Sequence, residues 1–206
     1  MPQTVVLSSR NRKKAQEIAE ILQPHGIVVT SIADFPQVGE IEEDGATFAD
    51  NAAKKAREAA LKIGHWVIGE DSGLMVDALN GAPGVYSARY AGEPANDDNN
   101  NKKLMQELHG IPAGKRGAGY ICTVALSNPK GEIVVRAEGR CRGVILEAPH
   151  GVNGFGYDPY FMIPEFHKTF GELSARVKHQ LSHRARAFAL FIPELIRTFN
   201  AQTPQS

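Results

Sequence analysis

The chain has 206 residues, 42% of them hydrophobic, and its 23 basic and 23 acidic side chains cancel. That length buries a substantial core as one domain, or one domain with two lobes, without disulfide or metal staples. Zero net charge excludes a global field drawing the molecule onto nucleic acid or a membrane surface, so any charged partner must be met locally.

The charges are nonetheless uneven. Arg10-Asn11-Arg12-Lys13-Lys14 is basic, residues 40–50 hold five acids and no base, and residues 176–186 are basic again. Such a pattern suits a small anion bound together with a metal. The two cysteines, Cys122 and Cys141, sit in apolar β-rich stretches at no metal-ligand spacing and read as buried free thiols in a reducing compartment. The apolar run at residues 4–7 is too short for a signal peptide and no segment reaches membrane-span length, so the expected location is the cytoplasm.

In chain order, residues 4–8 form a β-branched run that predicts a strand. Residues 11–23 follow with Ala15, Ile18, Ala19 and Leu22 at helical spacing, and Pro24 and Gly26 stop that helix. A second strand at 27–32 completes a β-loop-α-β unit. Its polar turn, Ser8-Ser9-Arg10-Asn11, offers a helix N-terminus to a phosphate. Residues 47–63 predict an Ala-rich helix capped by Thr47, with Lys54, Lys55, Arg57 and Lys62 on its exposed side. A short strand at 66–69 is expected to end at Glu70-Asp71-Ser72-Gly73. Residues 97–108 predict a helix, and Asn128-Pro129-Lys130-Gly131 joins strands 120–126 and 132–138 as a hairpin that 140–146 continues as a meander. The last long element, 175–199, predicts one amphipathic helix with Leu181, Ala185, Phe188, Ile192, Leu195 and Phe199 on one stripe, bent or interrupted at Pro193. The polar residues 200–206 read as a flexible tail. The architecture expected is α/β around a mixed, twisted sheet.

Four groups of residues carry chemistry. In Ser9-x-Asn11-x-x-Lys14 a hydroxyl, an amide and an ammonium meet backbone donors at a strand-to-helix turn, which serves either a triphosphate or an ordinary helix cap. Glu40, Glu42, Glu43 and Asp44 precede a helix while Glu70 and Asp71 close a strand. Carboxylates from two elements suit Mg²⁺ shared with substrate phosphates, and the first cluster reads equally as a solvated loop. In Gly154-Phe155-Gly156-Tyr157-Asp158-Pro159 the glycines admit close backbone approach, Phe155 offers a stacking face and Asp158 accepts hydrogen bonds; a tight turn with an aromatic plug is the alternative. Lys178 lies three residues before Leu181 and extends the buried stripe, where it needs an anionic partner; Ser182-His183-Arg184 follow.

Taken in this order, the residues resemble the inosine triphosphate pyrophosphatase family, also described as dITP/XTP pyrophosphatases. Ser9 to Lys14, Glu42-Glu43-Asp44-Gly45-Ala46-Thr47-Phe48 with Asn51-Ala52, Glu70-Asp71-Ser72-Gly73-Leu74, the Gly81 to Tyr90 stretch, Gly154 to Pro159 and Lys178-x-x-x-Ser182-His183-Arg184 carry the resemblance over nearly the whole chain. The sequence departs from the family pattern at Arg10, at Glu70, where Asp is frequent, and at Val152-Asn153. The resemblance implies an elongated mixed sheet with helices forming two lobes around a central nucleotide cleft, in a single domain over 1–199, and a homodimer. It implies Mg²⁺ as cofactor at Glu42 or Glu43 with Asp71, and Asp71 as the catalytic carboxylate. Ser9, Arg10, Asn11, Arg12, Lys13, Lys14 and Ser72 would meet the phosphates and the substrate. Phe155, Gly156, Tyr157, Asp158, Lys178, His183 and Arg184 would recognise base and sugar or complete the phosphate site. The implied reaction is hydrolysis of ITP, dITP or XTP to a monophosphate and pyrophosphate, without nucleic-acid or membrane partners. A pyrophosphatase for other modified nucleotides and a nucleotide-binding module without turnover are the alternatives.

Overall fold

The computed structural model describes residues 3–201. Residues 202–206 of the expected tail lie outside that range. Seven strands form one mixed sheet in the order β2-β1-β3-β4-β5-β6-β7: β1 Gln3–Leu7, β2 Ile27–Ser31, β3 Val67–Val76, β4 Gly117–Ser127, β5 Ile133–Ile145, β6 Phe161–Ile163 and β7 Lys168–Thr169. β1 runs parallel to both β2 and β3, whereas β6 is antiparallel to β5 and β7. The helices are α1 Arg12–Leu22, α2 Phe48–Ile63, α3 Asp97–Glu107, α4 Ala175–Leu181 and α5 His183–Asn200. Among the described residues no helix is long and apolar enough to cross a membrane.

The chain divides into two compact units. The first holds the described parts of Met1–Asp71, Cys122–Gly139 and Arg184–Ser206. Here β1 is covered on both faces, as parallel strands are. Val5 and Leu7 join Ile18 and Leu22 of α1 with Phe188, Phe191, Ile192, Leu195 and Phe199 of α5. Val6, pointing the other way, joins Ala59 and Ala60 of α2 with Val67 of β3. α2 lies unusually close to β3: a Cβ on Gly69 would fall 2.0 Å from Ala52 O and 2.7 Å from Ala56 N, so only glycine fits there. The second unit, Ser72–Ile121 with Arg140–His183, packs Leu104 of α3 and Leu108, which caps that helix, against Leu74, Tyr120, Tyr157, Phe161 and Phe170.

Three elements differ from the sequence expectation. β3 does not stop at Gly69 but continues to Val76, so Glu70 and Asp71 are strand residues. Ordinary periodicity cannot show this, because a strand satisfied by internal ion pairs on charged residues reads as a loop. Residues 140–146 are no separate strand. The in-out burial of β5 keeps its phase through Gly139, from Val135 to Cys141 and Ile145, so a single 13-residue strand results. The C-terminal helix breaks at Ser182, whose backbone is extended at φ −66 and ψ 158, and Pro193 lies inside α5. Buried charges account for the break. Lys178 and Arg184 are six residues apart, which in an unbroken helix turns their side chains by about 240°, yet both are buried and ion-paired.

Candidate active site

The carboxyl end of β1 positions the first group of polar residues. Ser8 N donates to Ile68 O at 2.8 Å, which fixes the turn beside β3 just where the β1–β3 pairing ends. Asn11 caps α1: its side chain accepts from Lys14 N at 3.1 Å, and Asn11 N donates to Ser9 Oγ at 3.2 Å. The hydroxyl and the amide are thus used to shape a helix N-terminus. Arg10, Arg12 and Lys13 are exposed, whereas Lys14 turns inward and donates to Glu70 Oε2 at 3.0 Å.

Alternation along β3 sends neighbouring carboxylates to opposite faces. Glu70 shares the face of Ile68, under α1 and α5, while Asp71 shares the face of Gly69, under α2. Glu70 is 0% exposed. It accepts from Lys14, from Arg184 Nη2 at 2.9 Å and from Cys122 Sγ at 3.4 Å. Burial pushes its carboxyl up, but the charges of Lys14 and Arg184 outweigh this and hold it well below the usual range. Arg184 is 1% exposed and donates through Nη1 to Glu17 Oε2 at 2.5 Å. Burial and the adjoining Glu70 push the Cys122 thiol up, which leaves it an inert donor.

Asp71 is engaged at both oxygens from α2. Asn51 Nδ2 donates to Oδ2 at 3.0 Å and Lys55 Nζ to Oδ1 at 3.2 Å; the same ammonium donates to Glu43 Oε1 at 3.0 Å. Asn51 also accepts from Gly45 N at 2.8 Å, tying the acidic loop to the strand. Burial raises the Asp71 carboxyl, with Glu43 and Glu70 adding to it against the opposing pull of Lys55 and Lys14. A carboxylate made more basic in this way is a better proton acceptor near neutral pH. Lys55 corrects the sequence expectation, which put it on the exposed side of the helix: it is 7% exposed. Two carboxylates, Glu43 and Asp71, compensate the burial. The signal was available in the four-residue spacing of Asn51, Lys55 and Ala59, a stripe continuous with the buried alanines.

In the second unit, Gly154 has φ +76 and a Cβ there would fall 2.0 Å from Asp158 Oδ2. That oxygen accepts from Phe155 N at 2.9 Å and from Lys178 Nζ at 2.8 Å, and the ammonium lies 4.9 Å from the centre of the Phe155 ring. Lys178 has the anionic partner its position demanded. His183 stacks on Tyr120, with ring centres 4.6 Å apart and planes 11° from parallel. Tyr157 is buried and donates from its hydroxyl to Ser87 O at 2.8 Å. Ser72, half-buried, follows Asp71 along β3.

A sequence model described as the Ham1 family matches residues 5–194. The chain belongs to the Ham1 family. It is 51% identical over 193 residues to a dITP/XTP pyrophosphatase of Rhodopirellula baltica, covering 94% of this chain and 93% of that one. It is 52% identical to a dITP/XTP pyrophosphatase of Desulforamulus reducens, covering 89% and 90% of the two chains. The solved structure of a HAM1 protein from Coxiella burnetii superposes with a TM-score of 0.84 at 37% identity, over 95% of this chain and 98% of that one.

The donor set of this Ham1-family chain fits a hard divalent cation. Glu43 and Asp71 already converge on one positive centre, the Lys55 ammonium, and both present oxygen. Among the described residues no cluster of three metal-ligating side chains occurs. Two carboxylates alone leave most of an octahedral shell to water and substrate oxygens, which is how Mg²⁺ is held beside polyphosphates. Glu42, the other expected metal ligand on this loop, is exposed.

Proposed function

We propose that this chain hydrolyses non-standard purine nucleoside triphosphates, ITP, dITP and XTP, to the monophosphate and pyrophosphate, with Mg²⁺ as cofactor. The observation that carries the reading is Asp71: a buried carboxylate of raised basicity, fixed at both oxygens by Asn51 and Lys55 and sharing its cation with Glu43. Its setting in a chain half identical to dITP/XTP pyrophosphatases supplies the substrate class.

In this reading the turn of Ser9, Arg10, Asn11, Arg12, Lys13 and Lys14 receives the phosphates at the positive end of α1. Asp71 orients a water and takes its proton for attack at the α-phosphorus, with Ser72 at the substrate. A divalent cation held by Glu43 and Asp71 would supply charge neutralisation on the polyphosphate. Lys14 stabilises charge on the departing pyrophosphate, and Arg184 supports Lys14 from beneath through Glu70. Phe155 stacks on the base, Gly156 lets the backbone approach it closely, and the Tyr157 backbone N–H with Asp158, Lys178 and His183 completes its recognition. Donors aimed at O6 reject adenine, whose amino group leaves them unpaired. A homodimer belongs to the same reading and rests on the resemblance, and a single-subunit mass in light scattering would remove it; the cytoplasmic location rests on the sequence alone.

The test is a panel of ITP, dITP, XTP, ATP, GTP and modified pyrimidine triphosphates with Mg²⁺, resolving pyrophosphate from orthophosphate. The 6-oxo purine substrates should lead and pyrophosphate should be released. Asp71→Asn should cost about 10²–10⁴-fold in turnover while the protein stays folded, the range of a lost general base. Orthophosphate as product, or near-normal turnover in that variant, refutes the assignment. Binding without any product would favour a nucleotide-binding module instead.

A further inference from the structure

α3 holds the loop that carries Phe155. Asp97 and Asn101 stand four residues apart and share one face of the helix. Asp97 Oδ2 accepts from Gly156 N at 2.9 Å, and Asn101 Nδ2 donates to Gly156 O at 3.0 Å, so both backbone polar groups of Gly156 are bound by one helix turn. The next residue, Tyr157, is tied separately by its hydroxyl to Ser87 O. Ser87 lies in a stretch that α3 also controls: Asn100 Nδ2 donates to Ala88 O at 2.9 Å and Asn100 Oδ1 accepts from Ala91 N at 2.7 Å. The bonds close a circuit from α3 through Gly156, Tyr157 and Ser87 back to α3.

One detail does not belong to a merely structural clamp. Asn101 Oδ1 is buried without a hydrogen-bond partner, although native folds rarely leave a buried acceptor unpaired. The amide cannot turn to relieve this, because Nδ2 would then leave the Gly156 carbonyl and oxygen would face oxygen. A group kept in an unfavourable state to hold one backbone atom marks a place where shape matters more than stability.

We propose that Asp97 and Asn101 are specificity-determining positioning residues, which fix the Gly156 backbone and through it the orientation of the loop toward the purine base. The inference rests on the base-recognition reading above and deepens it. Stacking on Phe155 tolerates any purine, because every base has a π-face. Discrimination between a 6-oxo and a 6-amino base depends on where donors point. A loosened loop therefore loses selectivity before it loses affinity for purines as such.

Three variants of the full-length protein test this: Asn101→Asp, which keeps the volume but removes the donor, Asp97→Ala, and Asp97→Asn, whose amide oxygen still accepts from Gly156 N. The readout is kcat/KM for ITP over kcat/KM for ATP, with kcat and KM separated and Tm followed. Asn101→Asp and Asp97→Ala should lower that ratio about tenfold or more, chiefly through KM for ITP, the scale on which one misdirected recognition contact acts. Asp97→Asn should restore the ratio to near the unmodified value. Should Asn101→Asp fail to fold, the Asp97 pair decides alone, since that side chain is exposed and its loss spares the core. An unchanged ratio in a folded Asp97→Ala, or equal losses on ITP and ATP, overturns the inference while leaving the activity assigned. An unmodified chain that turns over no ITP overturns both.

Discussion

At the scale of single residues, Lys55 decides more than its place in an alanine-rich helix suggests. A buried ammonium is costly unless paired, and this one is paired twice, with Glu43 and Asp71. It occupies the point on which the two carboxylates converge. Replacing it as Lys55→Met leaves like charges facing each other with nothing between them. Without a divalent ion the variant should lose about 3–5 kcal/mol, the usual result of removing one partner from a buried ion pair. Adding Mg²⁺ should then raise its Tm more than that of the unmodified protein, since the ion relieves a repulsion that Lys55 normally suppresses. Thermal melts in EDTA and in excess Mg²⁺ check this, and equal shifts in the two proteins would show that Lys55 does not stand in for the cation.

At the scale of elements, β3 is where sequence and structure part company most instructively. The β-loop-α-β opening was legible because its strands are β-branched and α1 carries a helical stripe with an Asn11 cap. Thr47 capping α2 was legible for the same reason. The continuation of β3 through Glu70-Asp71-Ser72 was not, because each charge is satisfied by residues far away in the chain: Lys14, Asn51, Lys55 and Arg184. The Ser182 break stayed hidden likewise, since a hydrophobic stripe passes across it unbroken and only the burial of Lys178 and Arg184 separates the two helices. Of the site, the anionic partner of Lys178 could be anticipated by type, whereas Lys55 was misplaced because its charge outweighed the four-residue spacing that puts it in line with Asn51 and Ala59. The Glu70 cluster yields a pH prediction. Its carboxyl is held well below the ordinary glutamate range, so the stabilisation from its ionised form is complete above that range and is lost as pH falls through the lower folded-state value. Glu70→Gln leaves Lys14 and Arg184 facing an uncharged amide and should be less stable at neutral pH by about 3–5 kcal/mol. The gap in urea midpoint between the two proteins should stay constant at neutral pH and narrow on acidification below the ordinary carboxylate range. A gap that persists undiminished to strongly acid pH would mean that Glu70 does not titrate with folding.

At the scale of the whole molecule, the order of the chain matters as much as its contacts. The first unit is assembled from three separated stretches and the second from two. The first unit cannot be completed until its last stretch, α5, arrives. That helix supplies Ala187, Phe188, Phe191, Ile192, Leu195 and Phe199, six of the sixteen buried residues in the core cluster around β1 and α1. It also carries Arg184, the second cation on Glu70. Burying a single large apolar side chain is worth about 1.5–3 kcal/mol, whereas whole domains are stable by only about 5–15 kcal/mol. A chain ending at Ser182 therefore loses more than the first unit has to spare. Glu70 would also keep Lys14 while losing the charge that balances Glu17. The truncated protein should lack a cooperative urea transition by near-UV circular dichroism and should show no triphosphate turnover, even though Asp71, Glu43 and the α1 turn all remain in its sequence. A sharp transition with the unmodified midpoint would place the stability of the β1–α1 core elsewhere than under α5.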